Sequence, residues 1–221
     1  MTRRIAVVTA GLSTPSSTRL LADRLAAAVQ AQVSARGEAA EVQVVEVREL
    51  AGDLARLMTT GMATPALDAA RETVSAADGL IVVTPVFAAS YSGLFKMFLD
   101  ALSTDALDAM PTIAAATAGT PRHSMVLDHA MRPLLTHLRA VVVPTGVFAA
   151  TEDFGREAGA DLAPRIRRAA SELAALVVAE SGSVAGFAAR EQDRPSPRSS
   201  GVTLARVTPF EQLLAGHAGQ G

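Results

Sequence analysis

Three short segments with residue types suited to ligand binding each follow an apolar run in this sequence. The first, residues 11–19, is rich in serine and threonine and leads directly into a helical pattern. Helix N-termini carry free N–H groups and a positive dipole end, and hydroxyls add neutral donors, so this segment could hold a terminal phosphate. Its other interpretation is a polar helix cap. Neither the Gly-x-x-x-x-Gly-Lys nor the Gly-x-Gly-x-x-Gly pattern is present, so a nucleoside triphosphate is not expected.

The second segment, residues 84–96, follows the apolar run 79–83, which is typical of a strand buried on both faces. Pro85 is expected to end the pairing of that strand, and the small residues after it allow a flat ligand to approach the backbone. The third segment, residues 117–124, contains Gly119, which permits a similarly close approach. Each segment alone could be an ordinary connection between a strand and the following helix. The occurrence of all three in one chain favours a ligand pocket that they form together.

Strand patterns alternate with helical patterns along most of the chain. This alternation predicts an α/β fold: a flavodoxin-like three-layer sandwich with a five-stranded parallel sheet in the order 2-1-3-4-5 and helices on both faces. Residues 52–64 are predicted to be a loop with a helical turn. The predicted strands are 5–9, 42–47, 79–84, 111–117 and a strand over 141–149 interrupted by Pro144. The predicted helices are 17–34, 65–76, 91–102, one with Val126, Ala130, Leu134 and Leu138 on a single stripe, and 161–180.

The C-terminal part differs in composition from the rest. We expect residues 1–181 to form one domain and residues 182–221 to form a linker and a docking tail. Within the tail, residues 208–211 make a capping box with proline at the first helical position, followed by Leu213 and Leu214. A helix of about two turns is not stable alone in water, so this one must dock on its own domain or on a neighbouring subunit.

Composition excludes several classes of function. The net charge is −2, so no attraction to nucleic acid or to an anionic membrane is expected. There is no cysteine, which excludes disulfides and thiolate catalysis and fits a cytoplasmic location, and the N-terminal apolar stretch is too short for a signal peptide or membrane span. His123, His129 and His137 lack metal-ligand spacing, and no nucleophile elbow is present. A bound redox cofactor that carries the chemistry itself is therefore favoured.

Residues 84–96 resemble the Thr-Pro-Val-Tyr-x-x-Ser-x-Ser-Gly-x-x-Lys segment of the NAD(P)H-dependent FMN reductase family. Residues 119–135, 143–150 and 208–216 are similar to members that supply reduced FMN to luciferase-like, two-component flavin monooxygenases. The resemblance implies hydride transfer from NADPH or NADH to FMN. It also implies a homodimer or homotetramer and a flavin-dependent monooxygenase partner.

Site residues follow from the resemblance by position, and Phe87 stands where relatives often have tyrosine. No catalytic acid, base or metal ligand is implied. The FMN phosphate would be held by Ser13, Ser16, Ser17 and Thr18, with Arg19 as an additional contact; the isoalloxazine would be lined by Pro85, Val86, Phe87 and Ala88; and its polar edge would be contacted by Thr117, Gly119 and Thr120.

Three other functions remain open from the sequence. A quinone or azo-dye reductase would use the same fold with bound FMN. A flavodoxin-type electron carrier would usually be acidic and stack FMN between aromatic rings, whereas this chain has no tryptophan and one tyrosine. A protein of this fold without flavin could serve as an assembly module.

Overall fold

The computed structural model describes residues 1–155, 161–179 and 198–200. Strands and helices alternate through the first two of these ranges. The strands are β1 (Thr2–Thr9), β2 (Ala39–Glu46), β3 (Gly79–Phe87), β4 (Ser90–Tyr91), β5 (Pro111–Ala118), β6 (Val141–Val142) and β7 (Val147–Ala150). The α-helices are α1 (Ser17–Ser34), α2 (Ala51–Thr60), α3 (Pro65–Ser75), α4 (Gly93–Asp100), α5 (Arg132–His137) and α6 (Leu162–Ala179).

The main sheet is parallel and has the order β2-β1-β3-β5-β6, with β7 also paired to β5. This confirms the predicted fold and strand order once the short hairpin strand β4 is counted. The predicted break at Pro144 is confirmed as well, since β6 and β7 lie on either side of it and both pair with β5.

The sheet separates two apolar layers. Alternate residues of β1 show the division, because Ala6 and Val8 pack towards α2–α5 whereas Ile5 and Val7 pack towards α1 and α6. Strands covered on both faces in this way have near-continuous apolar sequences, which is why they were recognisable. The carboxyl ends of β1, β3 and β5 consequently meet at one edge of the sheet.

Helices α1, α3 and α4 each begin at a serine or threonine whose side chain caps the helix. Ser16, Thr64 and Ser92 each accept a hydrogen bond at the side-chain oxygen from the backbone N–H three residues later, at 3.2, 3.3 and 3.2 Å. Such caps satisfy one of the amides that a helix start leaves without a partner. The predicted starts of α1 and α3 are confirmed by these caps.

The prediction that strand β3 ends at Pro85 was wrong. The strand continues to Phe87, and Val86 and Phe87 pair antiparallel with Tyr91 and Ser90 of β4. Pro85 lacks only its own N–H, so it removes one ladder donor while the hairpin supplies new partners to the residues beyond it. The helix predicted from residue 91 consequently begins two residues later.

The prediction of a loop over residues 52–64 was also wrong. A single 3₁₀ turn, Val47–Leu50, leads into helix α2, which ends at Gly61 in the left-handed conformation with a φ of 71°. Leu54 is fully buried against the core. Packing of this residue outweighs the weak helical preference of Gly52 and of the two threonines at the helix end.

The helix predicted after the third segment is present but irregular. A 3₁₀ turn at Pro121–His123 is followed by a π-helical turn at Leu127–Met131 and then by α5. Val126 of the predicted stripe is buried, as are Leu127, Met131 and Leu135, whereas Ala130, Leu134 and Leu138 of that stripe are only partly buried. That stripe lies one residue away from the buried one.

The domain boundary predicted at residue 181 and the predicted tail helix at 208–216 lie outside the described residues. Residues 198–200 are described and are hydrogen-bonded to Arg71 of α3 and to Ala77, Ser103 and Asp108 in the segments that precede β3 and β5. Within the described part of the chain, no helix is both long enough and apolar enough to span a membrane.

Candidate functional site

A groove of about 320 Å³ opens at the carboxyl edge of the sheet, where the segments after β1, β3 and β5 meet. This volume is within the range of small-ligand sites. None of the side chains that line it is charged. The lining residues are Leu12, Ser13, Ser17, Thr18, Pro85, Val86, Phe87, Thr117, Ala118, Gly119 and Thr151.

The N-terminus of helix α1 forms one end of the groove. The backbone N–H groups of Arg19 and Leu20 are bonded to the Ser16 side chain and carbonyl, at 3.2 and 3.0 Å. The amides of Ser17 and Thr18 precede them in the first turn, where no intrahelical acceptor exists. No acidic residue lies in that turn. This end of the groove is therefore suited to an anion held by amides and hydroxyls.

The close packing of the first loop requires glycine at position 11. A Cβ atom at Gly11 would overlap the Ser16 hydroxyl and lie 3.1 Å from the Cβ atom of Thr18. Because Ser16 caps α1, any side chain at position 11 would displace the cap. Ser16 itself therefore shapes the helix start, and its hydroxyl is already used.

A buried hydrogen bond joins the first and third segments. The Thr18 and Thr117 hydroxyl oxygens are 2.8 Å apart, and both residues are almost completely buried. A pair of hydroxyls that share one hydrogen retains one further donor. The bond ties the first turn of α1 to the end of β5 and thereby fixes the two ends of the groove relative to each other.

The β3–β4 hairpin forms the side wall of the groove. Its two turn residues, Ala88 and Ala89, both have left-handed backbones, with φ of 48° and 63°. Phe87 immediately before the turn is 46% exposed, which is unusual for a large aromatic side chain. At the base of the hairpin, the buried Thr84 hydroxyl accepts the Ser92 N–H at 3.0 Å. The Thr84–Ser92 hydrogen bond thus holds the base of the wall, and the pairing of Val86 and Phe87 with β4 holds the part next to the turn.

Gly119 forms the opposite wall next to Ala118. A Cβ atom built on Gly119 would have no atom within 4 Å, so the space beside it is open. A planar ligand could approach the backbone there without steric hindrance.

Eight of the twelve predicted site residues line the groove, and four do not. Ser16 caps α1, Ala88 lies in the hairpin turn, and Thr120 is exposed just beyond Gly119. The Arg19 guanidinium is paired with Asp23 at 2.8 Å and with Glu46. The hydrogen bond to Asp23 raises the pKa of Arg19 above its ordinary value.

Sequence analysis did not single out Leu12, Ala118 or Thr151, all of which line the groove. The first two are neighbours of predicted residues and carry no chemical signal of their own. Thr151 follows β7, so it reaches the groove only because the interrupted last strand resumes pairing beside β5. Arg48 was also missed; its guanidinium donates to the Thr14 hydroxyl at 2.5 Å and supports the first loop from outside.

The three histidines considered above do not converge. Among the described residues, no group of three or more His, Cys, Asp and Glu side chains could hold a metal ion. The groove of uncharged residues is therefore the arrangement in the described part of the chain with the clearest capacity to bind a ligand.

Comparison with known proteins identifies the family of this fold and site. The family model described as NADPH-dependent FMN reductase matches residues 3–155. The chain belongs to the NADPH-dependent FMN reductase family.

Individual relatives agree with this assignment. An FMN reductase (NADPH) from Pseudomonas aeruginosa is 34% identical over 78% of this chain and 91% of its own length. The NADH-dependent FMN reductase SfnE from Pseudomonas putida is also 34% identical, with the same two coverages. Among solved structures, an oxidoreductase from Corynebacterium diphtheriae is 62% identical, covers 80% of this chain and 98% of its own, and has a TM-score of 0.78. The apo form of the NADH:FMN oxidoreductase EMOB is 28% identical over 89% and 94% of the two chains, with a TM-score of 0.70.

Membership in the FMN reductase family confirms the resemblance carried by residues 84–96. It also confirms the predicted class, an oxidoreductase that uses FMN and a reduced nicotinamide nucleotide. The residues of the groove fit FMN: an anion-suited helix start lies at one end, and an apolar hairpin wall faces an open glycine at the other.

Proposed function

We propose that this chain binds FMN in the strand-end groove, transfers hydride to it from NADPH or NADH, and releases reduced FMN to a flavin-dependent monooxygenase. The observation that carries the proposal is the meeting of three loops in one uncharged groove at the start of α1. When bound, FMN supplies the redox chemistry, since its ring accepts a hydride from the nicotinamide.

The phosphate would be bound at the α1 end of the groove. The amides of Ser17 and Thr18 in the first turn of α1 would donate to it, and the hydroxyls of Ser13 and Ser17 would add further donors. Ser16 would act through its cap and Thr18 through its bond to Thr117. Arg19 is paired with two carboxylates that offset its charge, so it would contact the phosphate only if one of those pairs opened.

The ring would lie between the hairpin and the end of β5. Pro85, Val86 and Phe87 give it an apolar wall, while Ala88 holds the turn that presents this wall. Thr117, Gly119 and the adjacent Thr120 would meet the polar edge of the ring through amides and hydroxyls. The lining side chains carry no ionisable group, so the contribution of the protein is to position the two rings and to exclude water between them.

Release of reduced FMN is supported by the openness of the site. Phe87 is nearly half exposed at the rim, and no aromatic side chain other than Phe87 lines the groove among the described residues. A ring that is stacked on one side leaves its other face to the nicotinamide. The neutral donors at the phosphate end would hold the anion less firmly than a paired arginine or lysine would.

Nicotinamide oxidation by the purified chain tests the reductase activity. With NADPH or NADH in excess, we expect oxidation that depends on added FMN and saturates with its concentration. No FMN-dependent oxidation with either donor would overturn the proposal. Substitution Gly52→Val, on the exposed side of α2 and away from the groove, is a matched control that should leave the rate unchanged.

Anaerobic stoichiometry tests release. The protein is mixed with excess NADPH or NADH and excess FMN, without oxygen or any other electron acceptor. If reduced FMN leaves the site, each chain should reduce many equivalents of FMN. Reduction that stops at one equivalent per chain would show that the flavin stays bound, and the link to a separate monooxygenase would then fail.

A second candidate is an azo-dye or quinone reductase with resident FMN. It is favoured by a relative described as an FMN-dependent NADPH-azoreductase from Staphylococcus aureus, which is 34% identical over 39% of this chain. That function would require FMN to remain bound through gel filtration and an azo dye or quinone to be reduced without added flavin.

A further inference from the structure

A network of four charged side chains lies beside the first loop, residues 10–16, outside the strand-end groove. Arg19 on α1 is paired with Asp23 at 2.8 Å and with Glu46 at the end of β2. Arg48, in the 3₁₀ turn that follows β2, has its Nη2 atom 3.8 Å from Oε2 of Glu46. Its other terminal nitrogen, Nη1, donates to the Thr14 hydroxyl at 2.5 Å. Arg48 therefore joins the carboxyl end of β2 to the loop that leads into α1.

The charges of the two arginines in this network are offset to different degrees. The Arg19 guanidinium contacts two carboxylates. Within the described ranges, the one carboxylate within 4 Å of Arg48 is that of Glu46, which lies beyond hydrogen-bond distance and is already bonded to Arg19. A guanidinium has five N–H donors. In the same part of the chain the Thr14 hydroxyl is the one acceptor of the Arg48 side chain. Arg48 is therefore the arginine whose charge is less offset and whose donors are less used.

Thr14 brings this charge next to the phosphate end of the groove. It follows Ser13, which lines the groove, and lies two residues before Ser16, which caps α1. A hydroxyl that accepts a bond from a cation keeps its own hydrogen for donation. The cation polarises that hydroxyl and strengthens the bond that it donates. Since none of the side chains that line the groove is charged, the cation bonded to the first loop is the means by which this end can favour an anion beyond what amides supply.

We propose that Arg48, acting through the Thr14 hydroxyl, makes the strand-end groove selective for a flavin that carries a terminal phosphate. The inference rests on the proposed binding of FMN in this groove and deepens it. A phosphate monoester such as that of FMN carries about −1.5 to −2 charges at neutral pH. Riboflavin has the same ring and side chain without the phosphate, so contacts to the ring do not distinguish the two flavins. Arg48 is a positioning residue, because it is outside the lining of the groove and acts through the first loop.

Equilibrium binding of the two flavins tests this role. The Kd values of FMN and of riboflavin are measured on the flavin-free protein by flavin fluorescence, without any nicotinamide. Arg48→Gln should raise the Kd of FMN about tenfold, the low end of the range for a hydrogen bond that involves a charged group, and leave the Kd of riboflavin unchanged. Arg48→Lys should recover most of the FMN affinity, because a single bond to a hydroxyl does not require the planar fork of arginine.

Arg4→Gln is the matched control, since it removes the same charge at the other edge of the sheet. Arg4 is exposed near the amino end of β1, whereas the first loop follows the carboxyl end of that strand. It is about 17 Å along the strand from Thr9, the last residue of β1. That distance is about two Debye lengths at physiological ionic strength. The substitution should change neither Kd.

A double-mutant comparison tests whether Arg48 acts through Thr14. Thr14→Val removes the hydroxyl, keeps the branched shape and should by itself raise the Kd of FMN and leave that of riboflavin unchanged. If the two residues act as one unit, the variant with both Thr14→Val and Arg48→Gln should bind FMN as the weaker single variant does. Effects that multiply would show that the two residues act independently and would contradict the proposal. Thr14→Val also keeps the test decisive if Arg48→Gln prevents folding.

Three further results would overturn the proposal. One is an unchanged Kd for FMN in Arg48→Gln. Another is an equal rise in the Kd of both flavins, which would show that Arg48 only maintains the shape of the loop. The third is a wild-type protein that binds riboflavin as tightly as FMN, which would leave the proposed reductase function intact. Conversely, absence of FMN-dependent nicotinamide oxidation would overturn the proposed function and would leave the difference between the two flavins standing.

Discussion

At the scale of single residues, two buried threonines in neighbouring strands have opposite hydrogen-bonding situations. Thr84 is fully buried and its hydroxyl accepts the Ser92 N–H. Thr9 is 2% exposed, and its hydroxyl is the one buried side-chain polar atom without a partner among the described residues. Burial of a polar group is unfavourable unless it is bonded. The same substitution should therefore have different effects at the two positions.

Thr84→Val should lower the free energy of unfolding by about 1–3 kcal/mol, because it leaves the Ser92 N–H buried without an acceptor. Thr9→Val should leave the stability unchanged or raise it, since it removes an unbonded hydroxyl. Urea unfolding followed by circular dichroism measures both. Equal losses at the two positions would contradict this interpretation.

Gly119 is the residue at which binding and stability should separate most clearly. Since a Cβ atom there meets nothing within 4 Å, Gly119→Val should leave the melting temperature nearly unchanged. Its side chain would occupy space proposed for the flavin, so the Kd for FMN should rise about tenfold or more, a change of about 1.4 kcal/mol. Flavin fluorescence titration measures the Kd, with Gly52→Val as control. An unchanged affinity would remove this loop from the site.

At the scale of elements, the β3–β4 hairpin combines a tight turn with unfavourable turn residues. Two-residue turns with both backbones left-handed prefer Asn-Gly or Gly-Gly, yet Ala88 and Ala89 occupy them here. Each alanine is strained by roughly 1 kcal/mol in this conformation. The Thr84–Ser92 hydrogen bond and the pairing of Val86 and Phe87 hold the hairpin against that strain.

Ala89→Gly should therefore raise the free energy of unfolding, by about 1 kcal/mol. The control is the same chemical change at Ala55 in helix α2, where glycine should lower it by about 1 kcal/mol. Thermal unfolding of the two variants gives the signs directly. A loss of stability at both positions would show that the turn is not strained.

The elements that sequence analysis predicted well are those with several signals in agreement. Helix α3 has a capping threonine, a proline at its first position and a clear apolar face, and α6 has a long regular stripe. Helix α2 was missed because its formation depends on one buried leucine, Leu54, whose packing no local pattern reveals. The hairpin was missed for a similar reason, since its turn lacks the glycine or asparagine that usually identifies one.

At the scale of the whole molecule, the site and the closest contact between β3 and helix α6 lie at opposite ends of the central strand. Gly79 begins β3 beneath helix α6, and Pro85, in the groove, is about 20 Å away along the strand. A Cβ atom at Gly79 would lie 2.8 Å from Cγ2 of Val177 and 3.2 Å from Cδ1 of Ile5. The glycine thus allows α6 to pack closely on the sheet.

Gly79→Ala should lower the free energy of unfolding by about 1–3 kcal/mol through overpacking. The Kd for FMN should stay the same, because the groove lies at the other end of the sheet. In a Val177→Ala background the substitution should cost much less, since the overlapping methyl group is gone. Calorimetry and flavin titration of the single and double variants measure these effects. Full additivity would contradict the contact.

The general location of the site was predictable because parallel strands bring their carboxyl ends to one edge whatever their spacing in sequence. The roles of individual residues in the site were less predictable. The partners of Arg19 and the cap at Ser16 depend on the exact course of the first loop, and Thr151 depends on a strand that resumes after a break. Such contacts arise from tertiary packing, to which short sequence patterns are insensitive.

The interruption of the last strand at Pro144 also has a consequence for association between molecules. An uninterrupted edge strand offers a row of free N–H and C=O groups on which another chain can build a sheet. Here that edge is divided into Val141–Val142 and Val147–Ala150, two and four residues long. Neither piece provides a long flat template. The break that admits Thr151 to the groove therefore also protects this edge of the sheet against edge-to-edge association.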